Sequence, residues 1–203
     1  MSIRDRGSFA ALLAAASLLL AFPAGAQEEV SPDPLQMLAE PTQTHPTALE
    51  TYLERPGILL VKRQHPLVPV ELQGGGNMRL DAVVAHEPGM EHHRVMGIRV
   101  EVDAAGLADE ERVFYIDVHE IEELVRAIGF MMSIAEAEKS GRGDDRTEMS
   151  ISTRDGLEVG VLFGAGGAGH FLRTPSASFA VQPAALATLR VELDEAREHM
   201  FSN

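Results

Sequence analysis

The pattern of apolar and polar residues after residue 57 alternates with a period of two in several short stretches. The clearest is Arg94 to Val102, in which Met96, Ile98 and Val100 point to one side. Such alternation is typical of a strand with one buried face. The first half of the chain is predicted to hold strands at 58–61, 79–86, 94–102 and 113–116. Of these, 58–61 (Ile-Leu-Leu-Val) is continuously apolar, which predicts a strand buried on both faces.

The period then changes to about 3.6, the repeat of an α-helix. Asp117 and Glu120 have the spacing of a capping box, which predicts that a helix begins there. This helix is expected to run to about Lys139. Its apolar stripe comprises Ile121, Leu124, Val125, Ile128, Met131, Met132 and Ala135.

The second half repeats this order of elements. Strands at 148–153 and 157–163 flank Asp155-Gly156, a strong signal for a tight hairpin turn. Further strands are predicted at 170–173 and 178–181, and Pro183 is placed to open a last helix. The inward side chains of that helix are expected to be Leu186, Leu189, Leu193, Ala196 and Met200.

The two halves align with each other at a constant offset. Phe114, Ile116, Ile121, Leu124 and Ile128 precede Phe179, Val181, Leu186, Leu189 and Leu193 by 65 residues. We therefore predict an α+β fold with antiparallel sheets, two long amphipathic helices and duplicated βββ(β)α units, at 58–139 and 147–201. Any strand followed by an amphipathic helix would also align in this way, so the pattern leaves duplication open.

The N-terminal part has a different composition. Arg4 and Arg6 precede an apolar run and the small residues Ala24-Gly25-Ala26, which predicts a secretory signal peptide over 1–26. Residues 27–56 are rich in proline and acids and predict a flexible arm with a short helix near 47–54. The α+β domain is expected to span 57–203. We expect a secreted protein, in a bacterial periplasm, with no membrane insertion after signal cleavage.

Charge and the lack of cysteine narrow the function. The 203 residues carry a formal net charge of -14 and no cysteine, which excludes disulfides, thiol nucleophiles and cysteine-ligated metals. Nucleic-acid binding is dominated by Lys and Arg that neutralise phosphates, so no nucleic-acid partner is expected.

The densest group of metal-ligand side chains is His86, His92 and His93, around Pro88-Gly89. Imidazole suits zinc, copper and nickel, so these three histidines are the candidate metal site. The competing interpretation is a solvated turn with histidines near glutamates, and no cofactor is firmly predicted. Histidines 45, 65, 119, 170 and 199 are scattered along the sequence, and any of them could complete a site.

Other motifs are weaker. The run 164–169 contains GxGxxG, but a strand rather than a helix is predicted to follow it, which favours a hairpin loop over a dinucleotide site. Arg142-Gly143-Asp144 spells an adhesion-type tripeptide that arises readily by chance. The acids at 109–111, 117, 120, 122 and 123 are interpreted as belonging to a loop, a helix cap and the solvent-exposed face of a helix.

The chain resembles an uncharacterised family of secreted bacterial proteins of unknown function. The similarity rests on Tyr115-Ile116-Asp117 running into Glu120-Ile121, and on Thr147-Glu148-Met149 with the Asp155-Gly156 turn. At the level of the fold, twin four-strand-plus-helix units are similar to Whirly-type binders of single-stranded nucleic acid. The resemblance implies no activity, and the basic groove of such binders is not expected here.

The sequence thus favours a non-catalytic binding or interaction protein, with an unknown protein or small molecule as its partner. Two alternatives remain: a metal-binding protein that uses the histidines of 86–93, and a hydrolase whose catalytic residues are dispersed. No catalytic residue is assigned.

Overall fold

The computed structural model describes residues 44–104, 107, 113–138 and 145–202. These residues form an α+β fold with two antiparallel sheets and two long helices, as predicted. The predicted signal peptide, most of the predicted arm and the Arg-Gly-Asp motif lie outside the described residues.

The first sheet comes from the first half of the chain. A short helix, α1 (Ala48–Leu53), precedes its strands β1 (Val61–Pro66), β2 (Val70–Glu71), β3 (Asn77–His86), β4 (Val95–Asp103) and β5 (Val113–Asp117). The strand order is β1-β3-β4-β5, and β2 pairs with the beginning of β3. Helix α2 (Val118–Ala137) follows directly.

The second sheet repeats this meander. Its strands are β6 (Thr147–Ser152), β7 (Glu158–Gly164), β8 (Gly167–Arg173) and β9 (Ser178–Val181), in the order β6-β7-β8-β9. Helix α3 (Pro183–Ser202) follows. Apart from α1 and the two-residue strand β2 of the first half, the described parts of the two halves share one order of elements. That order is what duplication predicts, and a common origin stays a prediction.

Each long helix packs across the opposite sheet. Helix α3 lies against β2, β3 and β4 of the first sheet, whereas α2 contacts β6 and β7 of the second in addition to β4 and β5. The two helices also pack against each other. Because each half covers the other, both contribute to one hydrophobic core, which contains all five inward side chains predicted for α3.

Most of the predicted element boundaries lie close to the observed ones, but two regions differ. The run 58–61 is not a strand buried on both faces, because β1 begins only at Val61 and Leu59 is 76% exposed. An apolar run favours burial, but here the chain has reached the edge of the sheet, where one side has no neighbouring strand among the described residues. The Gly-rich bend is also shorter than predicted, since β8 begins at Gly167.

The described part of the predicted arm is firmly packed. Thr47 and Glu50 form a capping box at the start of α1, and Leu49 is fully buried against Gly97 of β4. The buried carboxylate of Asp117 accepts the N–H groups of Ala48 (2.8 Å) and Leu49 (3.0 Å). The short helix expected near 47–54 is therefore present as α1, and these contacts pack it against the first sheet.

Asp117 caps two helices at once. Besides holding the N-terminus of α1, it forms the predicted capping box of α2 with Glu120, whose Oε2 accepts the Asp117 N–H at 3.0 Å. The N-terminus of a helix carries unpaired N–H groups and a partial positive charge, which a carboxylate satisfies. One side chain thus ties the arm to the β5–α2 junction.

Candidate interaction site

Strand β1 is the most exposed strand of the first sheet. It lies at the end of the strand order, and five of its six residues are exposed, with only His65 intermediate. Val61 is 38% exposed, and Leu59 just before the strand is more exposed still. Within the described residues, β3 is its only strand partner. This strand is therefore an open edge of the sheet.

The register shows which backbone groups face outward. Beyond the end of β1, the Leu67 N–H donates to the Leu80 carbonyl at 2.9 Å. Because bonded positions alternate in an antiparallel pair, Val61, Arg63 and His65 bond to β3. Lys62 and Gln64 consequently direct their N–H and carbonyl groups away from the sheet. Pro66, which has no N–H, ends the edge.

The charge of this edge is opposite to that of the whole protein. From Arg55 to Val70 the sequence has no acidic residue, in a chain of net charge -14. Lys62 and Arg63 are adjacent, and neither forms an ion pair within the described residues. The edge is thus a local cationic surface.

A groove of about 300 Å³ lies beside the edge, between β1 and the C-terminal part of α3. Paired residues share a face, and Arg63 and His65 pair with Val84 and Ala82, whose side chains belong to the core. Arg63 and His65 therefore project on the face that α3 covers. There the His65 ring stacks on that of His199, with centroids 3.9 Å apart and 16° between the planes.

Helix α3 is fixed relative to the edge by a buried carboxylate. Glu192 is buried, and its Oε2 accepts the N–H of Val68 at 2.9 Å, in the connection that follows β1. His199 lies two helical turns further along α3. This bond therefore holds the helix that supplies one wall of the groove.

The three histidines predicted as a metal site lie at and beyond the C-terminal end of β3, the strand that pairs with β1. His86 ends β3 and is buried, with Nδ1 3.0 Å from the Glu87 carbonyl oxygen. His92 and His93 lie in a short 3₁₀ turn, both exposed, with ring centroids 4.1 Å apart. In the ranges that the structure describes, no three His, Asp or Glu side chains are placed to hold a metal ion. Metal binding by His86, His92 and His93 stays a prediction.

Electrostatics in this connection favour charge on the neighbouring glutamate. Backbone hydrogen bonding at Glu91 itself, and at Gly89, lowers the pKa of the Glu91 carboxyl, and the nearby His86 and His92 lower it further. The carboxyl is fully exposed, so it acts as a solvated anion beside the histidines.

A second polar junction joins the two sheets. The Asp155 carboxylate, in the β6–β7 turn, accepts the Tyr115 N–H of edge strand β5 at 2.7 Å. Burial raises the pKa of Asp155 to about 6, against the lowering effect of that hydrogen bond, and the charges of Glu50, Glu120 and Asp117 raise it further. The junction connects structural elements and lies on β5, the opposite edge of the sheet from β1.

Two further grooves border α3. One, of about 680 Å³, lies between the start of α2 and the end of α3 and includes Phe201, but its Arg197 is already paired with Glu122 and Asp194. The other, of about 380 Å³, lies between β2 and the start of α3, and its described lining residues include no basic one. Among the described residues, neither groove combines an open strand edge with cations that lack an ion-pair partner.

The other motifs identified in the sequence, where the structure describes them, have structural positions. Strand β8 begins within the GxGxxG run, so no helix follows it. Of the predicted acids, Asp117 and Glu120 cap α2, and Glu122 and Glu123 lie on its exposed face; those at 109–111 lie outside the described residues. His170 faces the core between Val161 and Val181, and its burial lowers its pKa.

Sequence reasoning missed β1 and its groove. The signals were present: an acid-free stretch in an acidic chain, adjacent Lys62 and Arg63, and Pro66 at the end of a short strand. Lysine and proline are common on edge strands because they discourage unwanted pairing. His65 and His199 are 134 residues apart, so no local pattern could have joined them.

Comparisons with known proteins gave no match among protein-family models, curated proteins or solved structures. The resemblance to a secreted bacterial family therefore stays a prediction. In the described part of the chain, no helix has the length and apolar character needed to span a membrane.

Proposed function

We propose that this protein is a non-catalytic interaction protein of the periplasm or extracellular space. It binds an extended, acidic segment of a partner polypeptide, which adds as a further strand along β1. The observation that carries this proposal is the open edge: Lys62 and Gln64 direct backbone groups outward, and the side chains of β1 are exposed.

Strand addition uses the main chain for affinity and alternate side chains for selectivity. An open edge has donors and acceptors already arranged at strand spacing, so an incoming segment gains several hydrogen bonds without remodelling the sheet. Exposed Leu59 and Val61 supply apolar area at one end of the same edge. Together these features favour a polypeptide over a small molecule.

The charge of the edge indicates the partner's chemistry. Two copies of β1 paired with each other would bring Lys62 and Arg63 of both chains together, and like charges across strands are destabilising. A segment rich in Asp or Glu instead meets unpaired cations. The edge therefore favours an acidic partner segment over a second copy of this chain.

The experiment measures binding of three end-blocked fluorescent peptides, each about eight residues long, a typical strand length. Threonine alternates with Glu, Gln or Lys in the three peptides. We expect the Glu peptide to bind most tightly and the Lys peptide most weakly. Hydrogen exchange should show new protection at the outward amides of Lys62 and Gln64.

Two variants at one position provide the control. Gln64→Pro removes an outward N–H, whereas Gln64→Ala keeps it and removes only the side chain. We expect Gln64→Pro to abolish binding and Gln64→Ala to preserve it, with both variants folded by circular dichroism. Equal binding by the two variants, or no binding of any peptide, would overturn the proposal.

A further inference from the structure

We infer that the groove formed by Arg63, His65 and His199 is a specificity pocket for a carboxylate side chain of the bound segment. This inference rests on the proposed function, because it assigns which side chains of an added strand are recognised. It assigns side-chain selectivity to one face of β1, whereas the proposed function concerns the strand as a whole.

The two faces follow from the alternation of a strand. Side chains of a new strand beside β1 would point alternately to the face shared with Arg63 and His65 and to the face shared with Lys62 and Gln64. On the first face, α3 borders the strand and the groove lies between them. A side chain on that face therefore enters a partly enclosed site with a floor of Ala82 and Val84.

The polar groups of this groove are suited to a carboxylate. The Arg63 guanidinium presents a fork of donors that matches two carboxylate oxygens, and the His65 imidazole adds a further donor. The described residues that line the groove include no Asp or Glu, although the chain has 31 acidic residues. A carboxylate in this groove would thus meet donors from β1, beside the wall that α3 forms.

The groove is also partly ordered in advance. The stacked rings of His65 and His199 join the strand to the helix, and Glu192 holds the helix against the connection that follows β1. Donors held by such contacts lose less conformational entropy on binding than free surface side chains do. On the other face, Lys62 is an exposed cation with no ion-pair partner in the described residues, so it contributes only screened attraction.

The test compares two neighbouring charge removals, Arg63→Gln and Lys62→Gln. The measured quantity is the ratio of dissociation constants for the Gln and Glu peptides, in the presence of a chelator so that no metal ion bridges peptide and protein. For the unsubstituted protein we expect a preference of about tenfold for Glu, which is the effect of one charge-assisted hydrogen-bonded pair. Arg63→Gln should reduce it to about twofold, whereas Lys62→Gln should leave it close to tenfold.

A third variant tests the far wall. His199→Gln, on α3, removes the ring on which His65 stacks but changes no residue of β1, so it should lower the preference for Glu while the Gln peptide binds as before. His119→Gln, on α2, is the matched control and should change neither. This pair of results would not arise from damage to β1.

The outcomes separate the two proposals. If Gln64→Pro abolishes binding but the preference for Glu is absent, or falls equally in Arg63→Gln and Lys62→Gln, the strand-edge proposal stands and the specificity pocket is wrong. If no peptide binds, both are wrong. A preference lost in Arg63→Gln and His199→Gln, but kept in Lys62→Gln and His119→Gln, supports the pocket.

Discussion

The two halves of the chain have the same order of elements but treat their charged side chains differently. In the first sheet Arg99 lies between Asp81 and Glu101, and its side chain is 23% exposed. In the second sheet Arg173 lies between Glu148 and Glu158 and is only 6% exposed. The same triad of one arginine and two carboxylates is thus partly exposed in one half, whereas its arginine and one carboxylate are buried in the other.

The first strands of the two sheets also differ in their exposure to solvent. Strand β1 is almost wholly exposed, whereas most of β6, the first strand of the second sheet, is half-buried. In the second sheet the Phe171 ring lies across Gly160, and the Arg173 guanidinium lies 4.5 Å above that ring. Within the described residues, the second half thus buries these charged and aromatic side chains more fully than the first half does.

The largest expected effect comes from breaking the buried triad. Arg173→Gln leaves the buried Glu158 without its cation, and we expect a loss of about 3 kcal/mol in the free energy of unfolding. Arg99→Gln is the matched change in the first sheet and should cost about 1 kcal/mol or less. Urea denaturation of both variants measures the difference, and equal losses would remove the contrast between the halves.

A smaller effect is expected from adding a methyl group at Gly160, against the Phe171 ring. In Gly160→Ala the new methyl group would overlap the Phe171 ring and lie 2.8 Å from the Met149 carbonyl oxygen. Overpacking of this kind costs about 2 kcal/mol. Gly164→Ala, on the same strand with nothing within 4 Å, is the control and should be nearly neutral. If the two variants unfold at the same urea concentration, the second sheet is looser than its contacts imply.

The junction between the halves should make stability depend on pH. Burial raises the pKa of Asp155 to about 6, so the folded protein binds a proton that the unfolded chain, with a pKa near 3.8, releases earlier. The stability from this group is therefore present at low pH and lost as pH rises through about 4 to 6. Because the carboxyl is only half-buried, we expect a change of about 1 kcal/mol.

Asp155→Asn isolates this contribution. Its amide oxygen still accepts the Tyr115 N–H but does not titrate. Relative to the unsubstituted protein, the variant should gain about 1 kcal/mol between about pH 4 and pH 7. A difference between the two proteins that stays constant over this range would contradict the raised pKa.

The smallest effect on stability is expected at the open edge. Gln64→Pro removes an amide that faces away from the sheet and should cost about 0.5 kcal/mol or less. Arg63→Pro, one residue earlier, removes an amide that bonds to β3 and should cost about 3 kcal/mol. Similar losses at both positions would mean that the outward side of β1 is not free.

Local sequence patterns were sufficient for most elements, because the period of apolar residues and the capping and turn residues act over a few positions. The apolar stripe of α2, the Asp117–Glu120 capping box and the Asp155-Gly156 hairpin all appear where predicted. The α+β class follows from those elements. Nothing local, however, separates the apolar run at 58–61 from a buried strand, since exposure depends on which strand lies beside it.

The sequence by itself determined most of the elements, their order and the excess of negative charge. Only the tertiary structure decided that each helix crosses to the opposite sheet, that β1 is an edge, and that His65 of β1 stacks on His199 of α3. The physical reason is the separation along the sequence between the residues that interact. Helix and strand periods are set by neighbours within a few residues, whereas the groove beside β1 depends on contacts between segments more than a hundred residues apart.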